Sequence, residues 1–386
     1  MCARRESATV VIAGGGFAAV EAMLALRALA ASRVRLELVC PDSVLRDHPV
    51  ATVDPLGDDR QQDHDLAAIA ADLGAQHHLA RLEAVAPHQH RVRLGSGAVI
   101  SYDALILAIG ARQVPSLAGA LTFRDRRDVA LVRRLVAEIK SGIVRRVAFA
   151  VPGGCSWPLP LYELALHVAG WAAASGQAPE LSLVTPEPRP LALFGEQAAR
   201  LVAGLLEDRG VRFVGCAVPT RVWPDGTLAL VDGTLDADRV LTLPELRGRR
   251  LPGVPADWWG FVPTDDHGRV DGLRCVYAAG DVTAHPIKQG GLACQQADRV
   301  AAVIAARLGA PVRESRGGYV LRATLMGGER PVLLRAELDW RGSPTKAALE
   351  RPLGAQAAGV AKVFGRYLTP YLEARAPSPA GGRSAA

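Results

Sequence analysis

The stretch Thr9-Val-Val-Ile-Ala-Gly-Gly-Gly-Phe-Ala-Ala-Val-Glu21 decides the fold. An apolar strand runs straight into a glycine-rich turn and then into a helical run from Ala18 to Ala31. Gly14, Gly16 and Ala19, with Gly15 between them, give the GxGxxA form of a dinucleotide fingerprint. The first glycine allows the tight turn, and the second lets backbone approach a pyrophosphate. The small third residue lets the helix pack close to the strand, with its N-terminus facing the phosphates. Such a motif is weak by itself. Here Val34-Arg-Leu-Glu-Leu-Val-Cys40 supplies a second strand where a βαβ unit needs one.

Two further strands end in glycine. Tyr102-Asp-Ala-Leu-Ile-Leu-Ala-Ile-Gly110 is an apolar run that closes the same sheet, with Ala108 and Gly110 at its end. Much later, Cys275-Val-Tyr-Ala-Ala-Gly-Asp281 reads as a buried strand finishing in Gly280 and Asp281, followed at Gly290 by a long helix. Gly280 permits close backbone approach, and Asp281 offers a carboxylate to ligand hydroxyls.

At 386 residues the chain suits two or three domains with ample core. Lys and Arg outnumber Asp and Glu by 45 to 39, and no basic run is interleaved with aromatics, which argues against a nucleic-acid partner. The six cysteines form no CxxC and no regular spacing, so neither a disulfide framework nor a metal site is expected, and a reducing cytosol is. Arg4-Arg5 before an apolar stretch imitates a signal peptide, but Glu21 and Arg27 interrupt that stretch. No segment offers about 18 uninterrupted apolar residues, so no membrane span is expected. His88 and His90 would share a face if they lay on one strand, yet no third ligand is evident.

The pattern along the chain predicts an α/β fold with two dinucleotide-binding domains, the second inserted in the first. Residues 1–113 and 252–310 form the first. A new strand–helix series then starts at Val144-Arg-Arg-Val-Ala-Phe-Ala-Val151, within an inserted domain over 114–251. Residues 311–374 are a small C-terminal part, and 375–386 a Pro-, Gly- and Ser-rich tail expected to be disordered.

Three strand-plus-glycine elements in this order resemble the pyridine nucleotide-disulfide oxidoreductase superfamily. Over about residues 8 to 308 the chain looks most similar to the branch holding sulfide:quinone oxidoreductases and type II NADH:quinone oxidoreductases. The segment Leu183-Val-Thr-Pro-Glu-Pro-Arg-Pro-Leu191 and the run Trp157-Pro-Leu-Pro-Leu-Tyr-Glu163 carry the likeness, while Ile287-Lys-Gln-Gly-Gly-Leu-Ala-Cys-Gln-Gln296 and Gly365-Arg-Tyr-Leu-Thr-Pro-Tyr371 resemble stretches of a group of flavin-dependent oxidoreductases of high-GC bacteria. The redox CxxxxC of disulfide reductases is absent. The resemblance implies an FAD-dependent oxidoreductase that passes two electrons from a soluble small-molecule donor to a quinone-like acceptor. It implies that FAD lies along Gly14, Gly15, Gly16, Ala19, Ala108, Gly110, Gly280 and Asp281. The helix starting at Gly290 and Gly291 would face the flavin ring, where its positive end stabilises negative charge.

Two departures from that family matter. Cys40 stands where an acid would hold the adenosine ribose, with Asp42 as the nearest substitute. The inserted domain's turn reads Val151-Pro-Gly-Gly-Cys-Ser-Trp-Pro158, and its two prolines remove amides that could face a pyrophosphate, so NAD(P)H binding is expected to be weak. Thr185 replaces the ribose-holding acid of that domain.

Several residues keep two readings. Lys288, one of four lysines in an arginine-rich chain, is either a cation beside the flavin or a solvated loop residue. Cys155 and Cys294 are either core thiols or a sulfide-oxidising pair like that of sulfide:quinone enzymes. A redox-sensing flavoprotein without efficient turnover is a further alternative. Residues 360–372 form either a peripheral membrane contact on the inner face or a helix closing the site.

Overall fold

The computed structural model describes residues 7–46, 63–313, 317–328, 330–349 and 363–375. Along the chain come β1 (Ala8–Ala13), α1 (Phe17–Ala30), β2 (Val34–Val39), α2 (Leu66–Asp72), β3 (Ala75–His78) and β4 (Ala104–Leu107). Then follow β5 (Leu121–Thr122), α3 (Val129–Lys140), β6 (Arg146–Ala150), α4 (Leu159–Ala174), β7 (Glu180–Val184), α5 (Gly195–Asp208), β8 (Val211–Val214) and β9 (Arg239–Thr242). The last part holds β10 (Val276–Ala278), α6 (Gly290–Arg307), β11 (Tyr319–Leu325), β12 (Val332–Leu338), β13 (Pro344–Leu349) and α7 (Leu368–Glu373).

The first five-stranded sheet is parallel, in the order β10-β4-β1-β2-β3. Val10 to Ala13 of its central strand are fully buried, as a strand covered on both faces requires. On one face lie α1 and α6, whose alanines 19, 22, 297 and 301 leave room for close helix approach. The other face packs on an antiparallel three-stranded sheet formed by 82–86, 91–94 and 99–101. The second five-stranded sheet is also parallel, in the order β5-β9-β6-β7-β8, and lies in sequence between β4 and β10. The fold is therefore α/β with two dinucleotide-binding-type sheets, the second inserted in the first.

Three elements differ from the sequence reading. Strand β9 completes the inserted sheet after a small antiparallel sheet at 219–235 that the sequence pattern did not announce. The C-terminal part is an antiparallel sheet, β11-β12-β13. Its alternation is regular: Leu321, Ala323, Leu325, Leu334, Ala336 and Leu338 point into a core shared with α4 and α5 of the inserted unit. Each such leucine contributes about 1.5–3 kcal/mol through burial, so this sheet is fastened to the inserted unit rather than hung loosely from the chain. Finally, His88 lies in a 3₁₀ turn and His90 is left-handed at φ 52°, so the shared strand face on which a two-histidine site would depend does not form. Among the described residues no cluster of metal-ligating side chains occurs, and no helix is long and apolar enough to cross a membrane.

Candidate functional site

The ends of β1, β4 and β10 meet at one cavity of about 2260 Å³. Gly14 lies so close to β4 that a Cβ there would fall 2.0 Å from the Ala108 carbonyl oxygen, and its φ of +133° also favours glycine. Gly14 is thus required by the protein's own backbone. Gly15 is boxed in similarly, 2.4 Å from the Cys40 sulfur. Gly16 differs. A Cβ at Gly16 meets no atom within 4 Å, and the residue lines the cavity at the start of α1. Gly110 also faces open space, with φ at +65°. These bare backbone positions, beside the unpaired amides of a helix N-terminus, fit a dinucleotide pyrophosphate.

Gly280 and Asp281 line the same cavity. The Gly280 amide donates to the Gln296 side-chain oxygen at 2.7 Å, so a residue of α6 holds this turn. Burial raises the Asp281 carboxyl above its ordinary value, and the nearby Lys288 charge opposes that shift. Lys288 is buried, not solvated. Its ammonium donates to the Thr283 carbonyl and sits 3.8 Å from the Phe261 ring centroid. Burial pushes Lys288 down to about 8, with Asp281 and Asp257 opposing. Gln289 caps α6 by accepting from the Leu292 amide, and Gly290 lines the cavity.

Several expected residues lie elsewhere. Ala19, fully buried, packs inside the α1 layer, and Gly291, also buried, is not on the cavity wall. Asp42 lines the cavity, is exposed, and approaches Arg46 at 3.7 Å, while its amide donates to the Cys40 sulfur at 3.4 Å. Cys40 also borders the cavity, but it is buried beneath Gly15 with its thiol raised by desolvation, the place of a small core residue. The two candidate redox thiols are not brought to one site. Cys155 lines the cavity, pushed up to about 11 by burial. Cys294 is fully buried beside Glu21 and Gly365, off the cavity wall, and its thiol is raised well above the ordinary value. Gln295 is likewise spent, bridging to the Val320 backbone through both ends of its amide.

The inserted unit contributes Phe123, Cys155, Trp157, Leu159, Glu163 and Leu243 to the wall. Glu163, fully buried, accepts the Met326 amide at 3.0 Å and so ties α4 to the end of β11. Its second turn has few amides to offer: that of Cys155 donates to the Pro152 carbonyl at 3.2 Å, and that of Trp157 to the Cys155 thiol. Thr185 is buried and donates to Glu187, whose carboxylate also receives the Tyr162 hydroxyl at 2.7 Å. The sequence reading missed Glu187, the acid just beyond β7, and it missed the arginines at 81, 112 and 249 on the cavity wall.

The pyridine nucleotide-disulphide oxidoreductase family matches residues 8–301. An NADH dehydrogenase-like protein of Mycobacterium tuberculosis is 30% identical over 298 residues, covering 71% of this chain and 72% of the relative. The ferredoxin–NAD(+) reductase component of an anthranilate 1,2-dioxygenase system from Burkholderia cepacia is 29% identical, covering 71% and 68%. Among solved structures, the sulfide:quinone oxidoreductase from Aquifex aeolicus superposes with a TM-score of 0.76 at 18% identity, over 89% of this chain and 87% of that one.

Proposed function

This chain belongs to the pyridine nucleotide-disulphide oxidoreductase family, and we propose that within it the protein carries two electrons from a nicotinamide donor to a quinone. Its family and relatives are NAD(P)H- and FAD-dependent oxidoreductases, and it is an enzyme of that kind. The observation that carries the finer reading is the composition of one cavity. The Asp281–Lys288 end of the first sheet shares it with an apolar and aromatic wall of Phe123, Trp157, Leu159 and Leu243, suited to a flat apolar acceptor.

FAD, when bound, supplies the two-electron carrier between donor and acceptor. The amides opening α1, from Gly16 to Ala18, would hold its pyrophosphate, and Gly14 keeps that turn against β4. Asp281 would accept hydrogen bonds from ribitol hydroxyls, held in place through Gly280 and Gln296. Lys288 Nζ is the cavity-side cation whose proton is loosened toward neutrality, so it would give a proton to the reduced acceptor oxygen and reload from solvent. In this reading residues 1–113 and 252–310 form the FAD unit and 114–251 the nicotinamide unit. Residues 311–374 complete the wall through Ala323 and Thr324. A sulfide-oxidising pair is not favoured, because Cys294 does not line the cavity.

The deciding experiment is anaerobic stopped flow. FAD-loaded protein is reduced with NADPH or NADH, then mixed with a water-soluble short-chain quinone. Rapid return of flavin absorbance supports the quinone reading. Reoxidation by a small iron–sulfur protein but not by quinone would replace it with a protein acceptor, as the names of the ferredoxin reductase relatives suggest.

A further inference from the structure

Trp258 is 86% exposed and Trp259 50% exposed, side by side on a loop at the cavity rim. The loop is fixed rather than loose. Arg250 donates to the carbonyls of Asp257 and Trp258, each at 2.9 Å, and the Asp257 carboxylate accepts the Phe261 amide at 2.8 Å. Gly248 donates to the Trp259 carbonyl at 3.0 Å, and the Arg247 guanidinium lies 4.0 Å from the Trp259 ring centroid. A fixed scaffold therefore holds the Trp258 indole in water, which costs apolar hydration, while Trp259 is half-exposed against Arg247.

The charge around them is predominantly positive, with Glu245 taken up by Arg247 and the Asp257 carboxylate by the Phe261 amide. Arg112, Arg249 and Arg250 line the same rim, and among the described residues none has a carboxylate within ion-pair distance. Burial and the like charges of Arg81 and Arg112 lower Arg249 below the ordinary guanidinium value, while Asp42 opposes. The patch also stands next to the redox end of the cavity: Phe261, farther along the same loop, lies under the Lys288 ammonium.

We propose that the Trp258–Trp259 loop and its flanking arginines are the face by which this protein rests on an anionic lipid bilayer, with the cavity mouth turned to the apolar phase. Indole rings partition to the headgroup level, and guanidinium groups pair with anionic lipid phosphates while their stems remain among apolar groups. Lipid accepts a projecting indole wherever it enters, whereas a protein partner would need a pocket matched to it. The inference rests on the quinone reading for its purpose, since a lipid-soluble acceptor would enter from that side. It moves the membrane contact away from the C-terminal stretch. There α7 is a six-residue helix that buries Leu368 against α1.

The test is co-sedimentation of the FAD-loaded full chain with vesicles of phosphatidylcholine alone or mixed with phosphatidylglycerol. Binding is expected to the mixed vesicles only, to weaken with salt, and to fall about tenfold in Trp258→Ala, with a blue shift of tryptophan emission on binding. Flavin content should be unchanged in that variant. No binding to anionic vesicles at low salt, or binding that Trp258→Ala leaves intact, overturns the proposal. So does loss of turnover with an acidic redox protein while vesicle binding persists, since that puts a protein on this face. Reduction of the water-soluble quinone without lipid is measured in parallel. It tests the acceptor separately, so failure of the face and failure of the acceptor give different results.

Discussion

The carboxylate of Glu21, in the first helix, accepts the backbone amide of Leu368 at 2.6 Å, although 347 positions separate them in sequence. The same carboxylate accepts the Tyr367 amide at 2.8 Å, so a fully buried acid satisfies the opening of α7. Tyr371 adds a hydrogen bond to Asp72 at 2.8 Å. The C-terminal helix is therefore pinned to α1 and α2. None of residues 363–375 lines the cavity, so α7 is not the lid that the sequence suggested; residues 350–362 lie outside the described ones.

Truncation after residue 362 should consequently act on stability before it acts on flavin. Each hydrogen bond to a charged group is worth about 1.5–3 kcal/mol, and the deletion leaves a buried carboxylate without two of them. We expect a clear drop in the denaturation midpoint with FAD still bound. Stoichiometric loss of FAD at unchanged stability would restore the lid.

Burial raises both Glu21 and Asp298; the hydrogen bond between them lowers Glu21 and raises Asp298. Burial and then the Glu21 charge push Asp298 up to about 8 from 3.8. Cys294, Arg366 and Tyr367 are the other titratable groups facing the pair. A raised acid means that the folded chain binds more protons than the unfolded one between those values, so stability falls as pH rises through that window. Asp298→Asn should flatten the fall, as read from urea midpoints at about pH 5 and about pH 8.

The glycines of the first turn should separate into two classes. Gly14→Ala drives a Cβ into the Ala108 carbonyl and should destabilise the fold itself. At Gly16 a Cβ has no protein atom within 4 Å, so Gly16→Val should yield a stable apoprotein. Flavin absorbance and circular dichroism on both variants distinguish these outcomes. A Gly16→Val protein with full FAD content would place the cofactor elsewhere.

Lys288 gives the opposite pH signature to Asp298. Its folded value of about 8 lies below 10.5, so the unfolded chain holds more protons between the two, and stability rises with pH across that interval. Turnover should move the other way, declining above about 8 as Nζ loses its proton. Lys288→Met should lower turnover and abolish both dependences. A pH–rate profile that the substitution leaves unchanged removes Lys288 from proton transfer.

Nicotinamide affinity should be low. Pro152 and Pro158 carry no amide hydrogen, and the Cys155 amide is already committed to the Pro152 carbonyl. Losing two charge-assisted contacts corresponds to about a hundredfold weaker binding or more. Arg189, exposed just beyond β7, should make NADPH the better donor through its extra phosphate. Rapid saturation of flavin reduction by micromolar NADH would show that the second turn binds by another route.

Strands β1, β4 and β10 were legible because each is an apolar run leading into a glycine, a pattern with few other structural meanings. Strand β6, Arg146–Ala150, falls within the run Val144–Val151 that opens the inserted domain in the sequence. What stayed hidden depended on partners distant in sequence. Nothing around residues 319–349 announces that alternate residues of this sheet will pack on α4. Similarly, Glu187 resembles a free ribose-binding acid until Tyr162 is seen to donate to it. For Cys294 the sequence leaves a core thiol and a redox partner both open, and the helical rotation that turns it toward Glu21 and Gly365 favours the first.

The polar side chains along α6 have consequences for anyone recombining this chain with its relatives. Gln295 clasps the Val320 backbone, Gln296 the Gly280 amide, and Arg299 the carbonyls of Asp266, Gly317 and Gly318. One surface of a single helix thus serves as the splice plate for two regions that lie on either side of it in sequence. A chimera joined anywhere between Asp266 and Val320 divides those contacts between its parents. Crossovers placed before Asp265 or after Leu338 keep the plate whole, and those are the positions at which exchanged segments should remain folded.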